Sequence, residues 1–216
     1  SLVTQVQRSV EQDLNTAYLV YEYELDEIED EVERVAADPA VASAIERGDR
    51  QALHSILNQA MMSTGLDLLS VTDQSGSVVA RGGTEQVGPS TSRPDQVVDR
   101  VLRRGKSVSG TVIMSADSLG TEAPELEERA RMGVLETPRA RPSDITSLDR
   151  GMVTAAGAPV YVDGDAAGTI YGGRLLNGRE DIVDRVKETA YAGEMWRDKD
   201  IGTATIFQDD VRIATN

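Results

Sequence analysis

The sequence predicts an α+β domain in which a long N-terminal helix packs on a five-stranded antiparallel sheet. Apolar residues recur at alternating steps of four and three over residues 14–35, which is typical of a helix with one apolar stripe. Two strand-like runs flank the turn at Asp163-Gly164-Asp165, so residues 151–176 are predicted to form a hairpin. Further strand-like runs precede this hairpin at residues 66–73, 77–81 and 107–115.

The first 65 residues are predicted to be helical throughout. Residues 2–36 form the long helix, whose remaining surface is acidic and is interpreted as a solvated face. Asp38 precedes Pro39 as an N-cap precedes the first helical residue. Asp49 is a second N-cap, and the third helix that it starts, over residues 50–63, ends at Gly65. A narrow apolar stripe on a long polar helix suits dimerisation or a stalk better than catalysis.

The order of the remaining elements favours a PAS-like sheet. Two strands are followed by a helix at residues 95–104, a third strand and, after residues 116–150, the hairpin. Within the connection, residues 122–132 are expected to be helical and the rest irregular. The predicted organisation is residues 1–65 helical, 66–177 a sheet module with a 116–150 insertion, and 178–216 an exit helix with a terminal hairpin.

Composition excludes several classes of function. The net charge of −15 argues against nucleic acids and anionic membrane surfaces as direct partners. The absence of cysteine excludes thiolate zinc sites and thiol catalysis, and the single histidine, His54, has no visible partner. The sequence also lacks motifs for hydrolytic nucleophiles, zinc proteases and phosphate-binding loops. We therefore expect no enzymatic activity, no cofactor and no metal site in this domain.

Several stretches together resemble the Cache sensor domains of bacterial transmembrane receptors. They include LLSVTDQSGSVVAR, GMVTAAGAPVYVDG, YGGRLLNGREDIVDRVKETAY and GTATIFQDDVRIATN. The resemblance implies a periplasmic or extracellular domain of an inner-membrane sensor histidine kinase or chemoreceptor, with membrane helices outside this sequence. Because the sequence starts without Met and stops straight after a strand-like run, we expect it to be cut from a longer protein. In double-module relatives a segment like TATIFQDDVRIATN begins a second, membrane-proximal module; here the terminal hairpin could begin such a module, dangle, pair with a neighbour or close onto the sheet.

The resemblance implies a small-metabolite ligand, such as an organic acid or an amino acid. The amino-acid-binding relatives carry an Arg-x-Trp pair and a late-strand Asp, whereas Gly173 stands at the position of that Asp here. An α-amino acid is therefore disfavoured, and a small carboxylate is the favoured class.

A carboxylate ligand requires an arginine fork and hydroxyl donors in a small, partly apolar site. Strand alternation places Thr169 and Tyr171 on one face and Arg174 on the other, which makes Arg174 the weaker candidate. The candidate ligand-binding residues are Arg81, Arg103, Thr111, Thr154, Tyr171 and Arg174.

Two functional hypotheses remain open. In the first, a small molecule binds the sheet, and the N-terminal and C-terminal helices carry the resulting shift toward the membrane. In the second, the domain binds no small ligand and serves as a dimerising spacer or as a docking surface for a periplasmic partner protein. A buried polar cavity near Tyr171 would favour the first hypothesis. A sheet face filled with Val, Ile and Met would favour the second.

Overall fold

The structure, a computed structural model, describes residues 2–85, 92–134, 146–191, 195–196, 199–200 and 203–215. Its helices are α1 (Leu2–Ala36), α2 (Pro39–Glu46), α3 (Arg50–Thr64), α4 (Asp95–Arg104), α5 (Ala116–Glu122), α6 (Pro124–Ala130) and α7 (Glu180–Tyr191). Its strands are β1 (Leu68–Asp73), β2 (Val78–Arg81), β3 (Val108–Ser115), β4 (Arg131–Gly133), β5 (Ser147–Val162), β6 (Asp165–Leu175), β7 (Met195–Trp196), β8 (Lys199–Asp200), β9 (Thr205–Gln208) and β10 (Val211–Thr215).

The chain divides into two compact units, of which residues 25–175 form the larger. This unit contains an antiparallel sheet in the order β2-β1-β6-β5-β3, and the short strand β4 pairs with an extension of β5. The expected α+β fold, with a long N-terminal helix and a five-stranded antiparallel sheet, is confirmed.

The helix ends follow local sequence signals. The side chains of Asp38 and Asp49 cap α2 and α3 by accepting hydrogen bonds from the backbone N–H groups of Ala40 and Ala52. Gly65 ends α3 with a φ of 68°, a left-handed conformation that favours glycine. All three signals were predicted, because capping depends on residues within one helical turn.

The central hairpin also forms as predicted. Asp163 and Gly164 connect β5 to β6 with φ values of 51° and 91°, as a two-residue hairpin turn with the right-handed strand twist requires. The ladder pairs Val162 with Asp165 at the turn and extends to Val153 opposite Leu175. Strand β5 begins at Ser147, earlier than the expected start of the hairpin, because its first residues pair with β4.

The sheet buries both faces. On what we call the α1 face, the second half of α1 packs with α2 and α3; its buried residues include Ile28, Val32, Leu53, Leu57, Leu69, Val71, Ala158 and Ile170. On what we call the Tyr171 face, α4, α5 and α6 pack against the sheet; its buried residues include Val78, Val97, Val98, Met114, Leu119, Leu126, Val153, Tyr171 and Leu175. The larger unit is therefore a three-layer arrangement with the sheet in the middle.

The segment expected to be an insertion contributes to this core. The prediction of one helix over residues 122–132 differs from the structure, in which Glu122 ends α5, Pro124 begins α6 and β4 starts at Arg131. Helix α5 was not predicted, because its sequence is polar apart from residues such as Leu119, which is fully buried on the Tyr171 face. Residues 135–145, expected to be irregular, lie outside the described residues.

The smaller unit comprises residues 1–24 and 176–216. In it, the predicted helix α7 and the predicted hairpin β9–β10 both form, and the N–H of Gly178 donates to the carbonyl of Ile213 at 2.8 Å. Glu24 is buried, with a carboxylate oxygen 3.6 Å from the guanidinium of Arg185. Across the described residues, no helix combines the length and apolar character needed to cross a membrane.

Candidate ligand-binding site

Strand register aligns three polar side chains on the Tyr171 face. Arg81, the last residue of β2, lies opposite Ser70 of β1, and Ser70 lies opposite Tyr171 of β6. Directly paired residues on antiparallel strands point to the same face, so a guanidinium and two hydroxyl groups stand side by side across the sheet.

A carboxylate from outside the sheet meets all three groups. Oε1 of Glu122, at the end of α5, accepts hydrogen bonds from Nη1 of Arg81 and from the Tyr171 hydroxyl, the latter at 2.7 Å. Oε2 of Glu122 accepts from the Ser70 hydroxyl at 2.6 Å. Nη1 of Arg81 also donates to the Tyr171 oxygen at 2.9 Å, and Nη2 donates to the carbonyl of Ser92 at 2.7 Å. We call Ser70, Arg81, Glu122 and Tyr171 the buried polar cluster.

The cluster is almost completely removed from solvent. The exposed fractions are 4% for Arg81, 1% for Glu122 and 0% for Ser70 and Tyr171. Burying a charge is costly unless it is paired and hydrogen-bonded, and here both charges have an opposite partner. Burial raises the pKa of Tyr171 well above its ordinary value, and the neighbouring negative charge of Glu122 raises it further. The Tyr171 hydroxyl therefore stays protonated and acts as a donor.

Helix α3 holds the strand end that carries Arg81. Nδ1 of His54 lies 2.7 Å from the carbonyl oxygen of Arg81, so this nitrogen carries the proton and donates. The side-chain amide of Asn58 donates to the carbonyl of Gly82 at 2.9 Å. The structure thus gives His54 the partner that the sequence did not reveal: it positions the backbone beside the cluster.

Helix α4 approaches the sheet closely beside Tyr171. Gly157 of β5 pairs with Tyr171, and a Cβ at this position would lie 2.8 Å from Cγ1 of Val97 and 3.1 Å from Cγ2 of Val101. A glycine is therefore required for this approach. The α4 helix covers the row of residues that continues across the sheet from the buried polar cluster.

Helix α6 is tied to the same face by a second ion pair. Arg129 donates to Asp67 at 2.8 Å and to the carbonyl of Leu175 at 3.1 Å, while Asp67 accepts from the N–H of Leu175 at 2.7 Å. These bonds hold α6 against the end of β6. Helix α6 follows the α5–α6 junction, whereas Glu122 precedes it.

Thr169 adds a polar group to the Tyr171 face. It lies two residues before Tyr171 on β6, about 7 Å along the strand, and is fully buried. Its hydroxyl has no hydrogen-bond partner among the residues that the structure describes. A buried hydroxyl without a partner costs free energy, so such groups call for an explanation, of which a ligand is one.

Of the six predicted binding residues, the structure brings together Arg81 and Tyr171. Arg174 lies on the α1 face, as its strand parity predicts, and donates to Glu27 and to the carbonyl of Thr64, each at 3.1 Å. Thr154 is paired with Arg174 across the ladder and Thr111 with Thr154, so both threonines also lie on the α1 face. Arg103 is exposed in the last turn of α4. The six residues therefore do not form one cluster.

Sequence reasoning missed Ser70 and Glu122. A polar residue within the apolar run LLSV is a signal that could have identified Ser70. Nothing local distinguishes Glu122 from the other acidic residues of its segment, because its partners are 52 and 41 residues away along the chain. No group of three potential metal ligands occurs among the residues described.

A protein-family model described as the double sensory domain of two-component sensor kinases, dCache_3, matches residues 4–190. The chain belongs to this family. The resemblance to Cache domains is thereby confirmed, as is the expected extracytoplasmic location in a membrane receptor. The Cache family is a family of sensory domains, which bind ligands for signal transduction and are not catalytic.

Solved structures agree with this fold. The periplasmic domain of Vibrio cholerae LuxQ is 13% identical at a TM-score of 0.54, with 96% of this chain and 78% of that chain covered. The sensor domain of the V. cholerae histidine kinase DctB is 12% identical at a TM-score of 0.57, with 88% and 61% covered. The sensory domain of the Campylobacter jejuni chemoreceptor Tlp3, solved with isoleucine bound, is 12% identical at 0.52, with 99% and 71% covered. No curated protein sequence matches the chain.

Proposed function

We propose that this Cache domain is the ligand-sensing part of a transmembrane receptor and that it binds a small molecule on the Tyr171 face. The buried polar cluster is the observation that supports the proposal. A sheet that only needs a core on this face gains little from a buried Arg81–Glu122 pair, since such a pair contributes little net stability compared with apolar residues. The partnerless hydroxyl of Thr169 on the same face supports it independently.

The proposed ligand class is a small carboxylate. The sheet contributes a guanidinium, a phenol and an alcohol, which is a donor set suited to a carboxylate. That Tlp3 was solved with isoleucine bound supports a small-molecule ligand for this fold. An α-amino acid remains disfavoured here, since Gly173 occupies the position of the aspartate expected in amino-acid-binding relatives.

In the proposed transmission, a ligand on one face of the sheet shifts the elements on the other. The second half of α1 packs on the α1 face through Ile28 and Val32, and Arg174 of β6 donates to Glu27 of the same helix. A small displacement of β6 therefore reaches α1 through side-chain packing and an ion pair. In the full receptor, the N-terminal helix α1 and the C-terminal helix α7 would carry this displacement toward the membrane.

A second function, a dimerising spacer or docking domain without a ligand, is favoured by two observations. The Tyr171 face also buries many apolar side chains, including Val97, Val98 and Met114. On α1, Val10, Leu14 and Tyr18 repeat every four residues and are 57–68% exposed. Such a stripe suits self-association of two α1 helices into a homodimer.

A thermal-shift screen separates the two functions. A ligand that binds the folded state raises the melting temperature. We expect a carboxylate from a panel of organic acids, amino acids, amines and purines at millimolar concentration to raise it, and Thr169→Val to reduce that shift. A panel without any shift, tested on the dimer as well as the monomer, would support the spacer function instead.

A further inference from the structure

We infer that Glu122 is a tethered ligand. Its carboxylate occupies the donor set that Ser70, Arg81 and Tyr171 form. A free carboxylate ligand binds this donor set by displacing the carboxylate of Glu122. This inference rests on the proposed sensing function and names the residue that sets the affinity of the site.

The three donor residues belong to the sheet, whereas Glu122 lies at the end of helix α5. Ser70, Arg81 and Tyr171 lie on three neighbouring strands in one row of the ladder, so their backbone positions are fixed by the sheet. The guanidinium of Arg81 also donates to the Tyr171 oxygen and to the carbonyl of Ser92, two contacts that do not involve Glu122. His54 and Asn58 further fix the end of β2 by contacts with its backbone. Withdrawing Glu122 would leave a preorganised donor set for one carboxylate group.

The charge balance requires displacement. Arg81 is the cation of the cluster, and Glu122 already neutralises it in a site that is almost fully buried. A second carboxylate at the same donors would place two negative charges beside one positive charge in a poorly solvated site, which is strongly unfavourable. A carboxylate ligand can therefore take this position once Glu122 has left it.

The location of Glu122 connects its release to neighbouring elements. It is the last residue of α5, and the next residue, Ala123, is extended and begins the junction with α6. The backbone of the loop after β2 lies against this junction: a Cβ on Gly83 would be 2.6 Å from the carbonyl oxygen of Glu122. Moving Glu122 away from the donor set therefore disturbs the α5–α6 junction and the adjoining loop together. Ligand binding is in this way coupled to a conformational change.

Tethering also predicts a weakened apparent affinity. A tethered group competes at an effective concentration of about 1 mM or more. If the free ligand has an intrinsic dissociation constant of about 0.1 mM and the tethered carboxylate binds equally well, competition raises the apparent constant about tenfold. Removing the Glu122 carboxylate should reverse this effect.

The test measures carboxylate binding to Glu122→Ala, Glu122→Gln and the wild-type protein. Acetate, propionate and succinate are titrated by calorimetry and thermal shift, with sodium chloride at matched ionic strength as the reference. We expect at least one of the three to bind Glu122→Ala about tenfold more tightly than wild type and to raise its melting temperature. Glu122→Gln, which retains the side-chain size, provides the same measurement if the alanine variant does not fold.

Two controls make the result specific. Arg81→Met in the Glu122→Ala background should abolish the gain in carboxylate binding, because the donor set has lost its cation. Glu27→Ala unpairs an interaction of Arg174 on the α1 face and should produce no gain. Equal affinities of wild type and both Glu122 variants, or a gain that survives Arg81→Met, would overturn the inference. If a non-carboxylate from the wider screen binds while the Glu122 variants gain nothing, the sensing function stands and the tethered ligand does not.

Discussion

Replacing Arg81 by methionine should strongly destabilise the larger unit. The substitution leaves the Glu122 carboxylate, 1% exposed, with hydroxyl donors but without a neutralising cation. Breaking a buried ion pair on one side costs about 3–5 kcal/mol. For a chain of this size each kcal/mol lowers the melting temperature by about 2–4 °C, so the expected decrease is about 6–20 °C.

The magnitude depends on the charge left behind, and a double variant tests this. In Arg81→Met/Glu122→Leu both charges are absent and apolar side chains fill the site, so we expect stability within about 2 kcal/mol of wild type. Asp117→Asn is the matched control: Asp117 is 84% exposed and its partner Arg131 is 52% exposed, so no buried charge is left behind and the cost should stay below about 1 kcal/mol.

Urea unfolding followed by circular dichroism gives the free energy of unfolding for wild type, these three variants and the single variant Glu122→Leu, and thermal unfolding gives the melting temperatures. The reasoning would be refuted if Arg81→Met cost less than about 1 kcal/mol, or if the double variant lost as much as the two single variants together. The first result would mean that Glu122 reaches solvent, and the second that the two charges act independently.

Three further predictions concern a turn of the sheet, the packing of α4 and the exposed stripe of α1. Burial raises the pKa of Asp73 but hydrogen bonds from Ser75 and Ser77 lower it more, so its stabilisation is present above its ordinary pKa and is lost as the pH falls through the lowered value. Asp73→Asn should therefore cost about 1 kcal/mol in urea unfolding at pH 7 and less at pH 3. Gly157→Ala should cost about 1–3 kcal/mol by pushing α4 away, whereas Gly110→Ala, whose Cβ meets nothing within 4 Å, should be neutral in the same thermal assay. Leu14→Glu should shift any dimer toward monomer in sedimentation velocity without changing the melting temperature of the monomer, and an unchanged dimer would exclude α1 as the interface.

The candidate site was predictable from the sequence in part. What separates the predictable residues from the others has a physical cause. Alternation along β6 sufficed to separate Tyr171 from Arg174, because side chains on a strand change face at every residue. Placing Thr111 and Thr154 required the register between strands, since each strand could have presented either parity to the Tyr171 face. That register depends on packing against helices that are distant in sequence.

Short-range interactions allowed the sequence by itself to determine the helix caps at Asp38, Asp49 and Gly65 and the turn at Asp163-Gly164, since each involves neighbouring residues. Only the tertiary structure decided that Glu122 would neutralise Arg81, because the two residues are 41 positions apart and meet through the packing of α5 on the sheet. A carboxylate on a polar helix has many solvated alternatives, and burial beside one guanidinium is what selects among them.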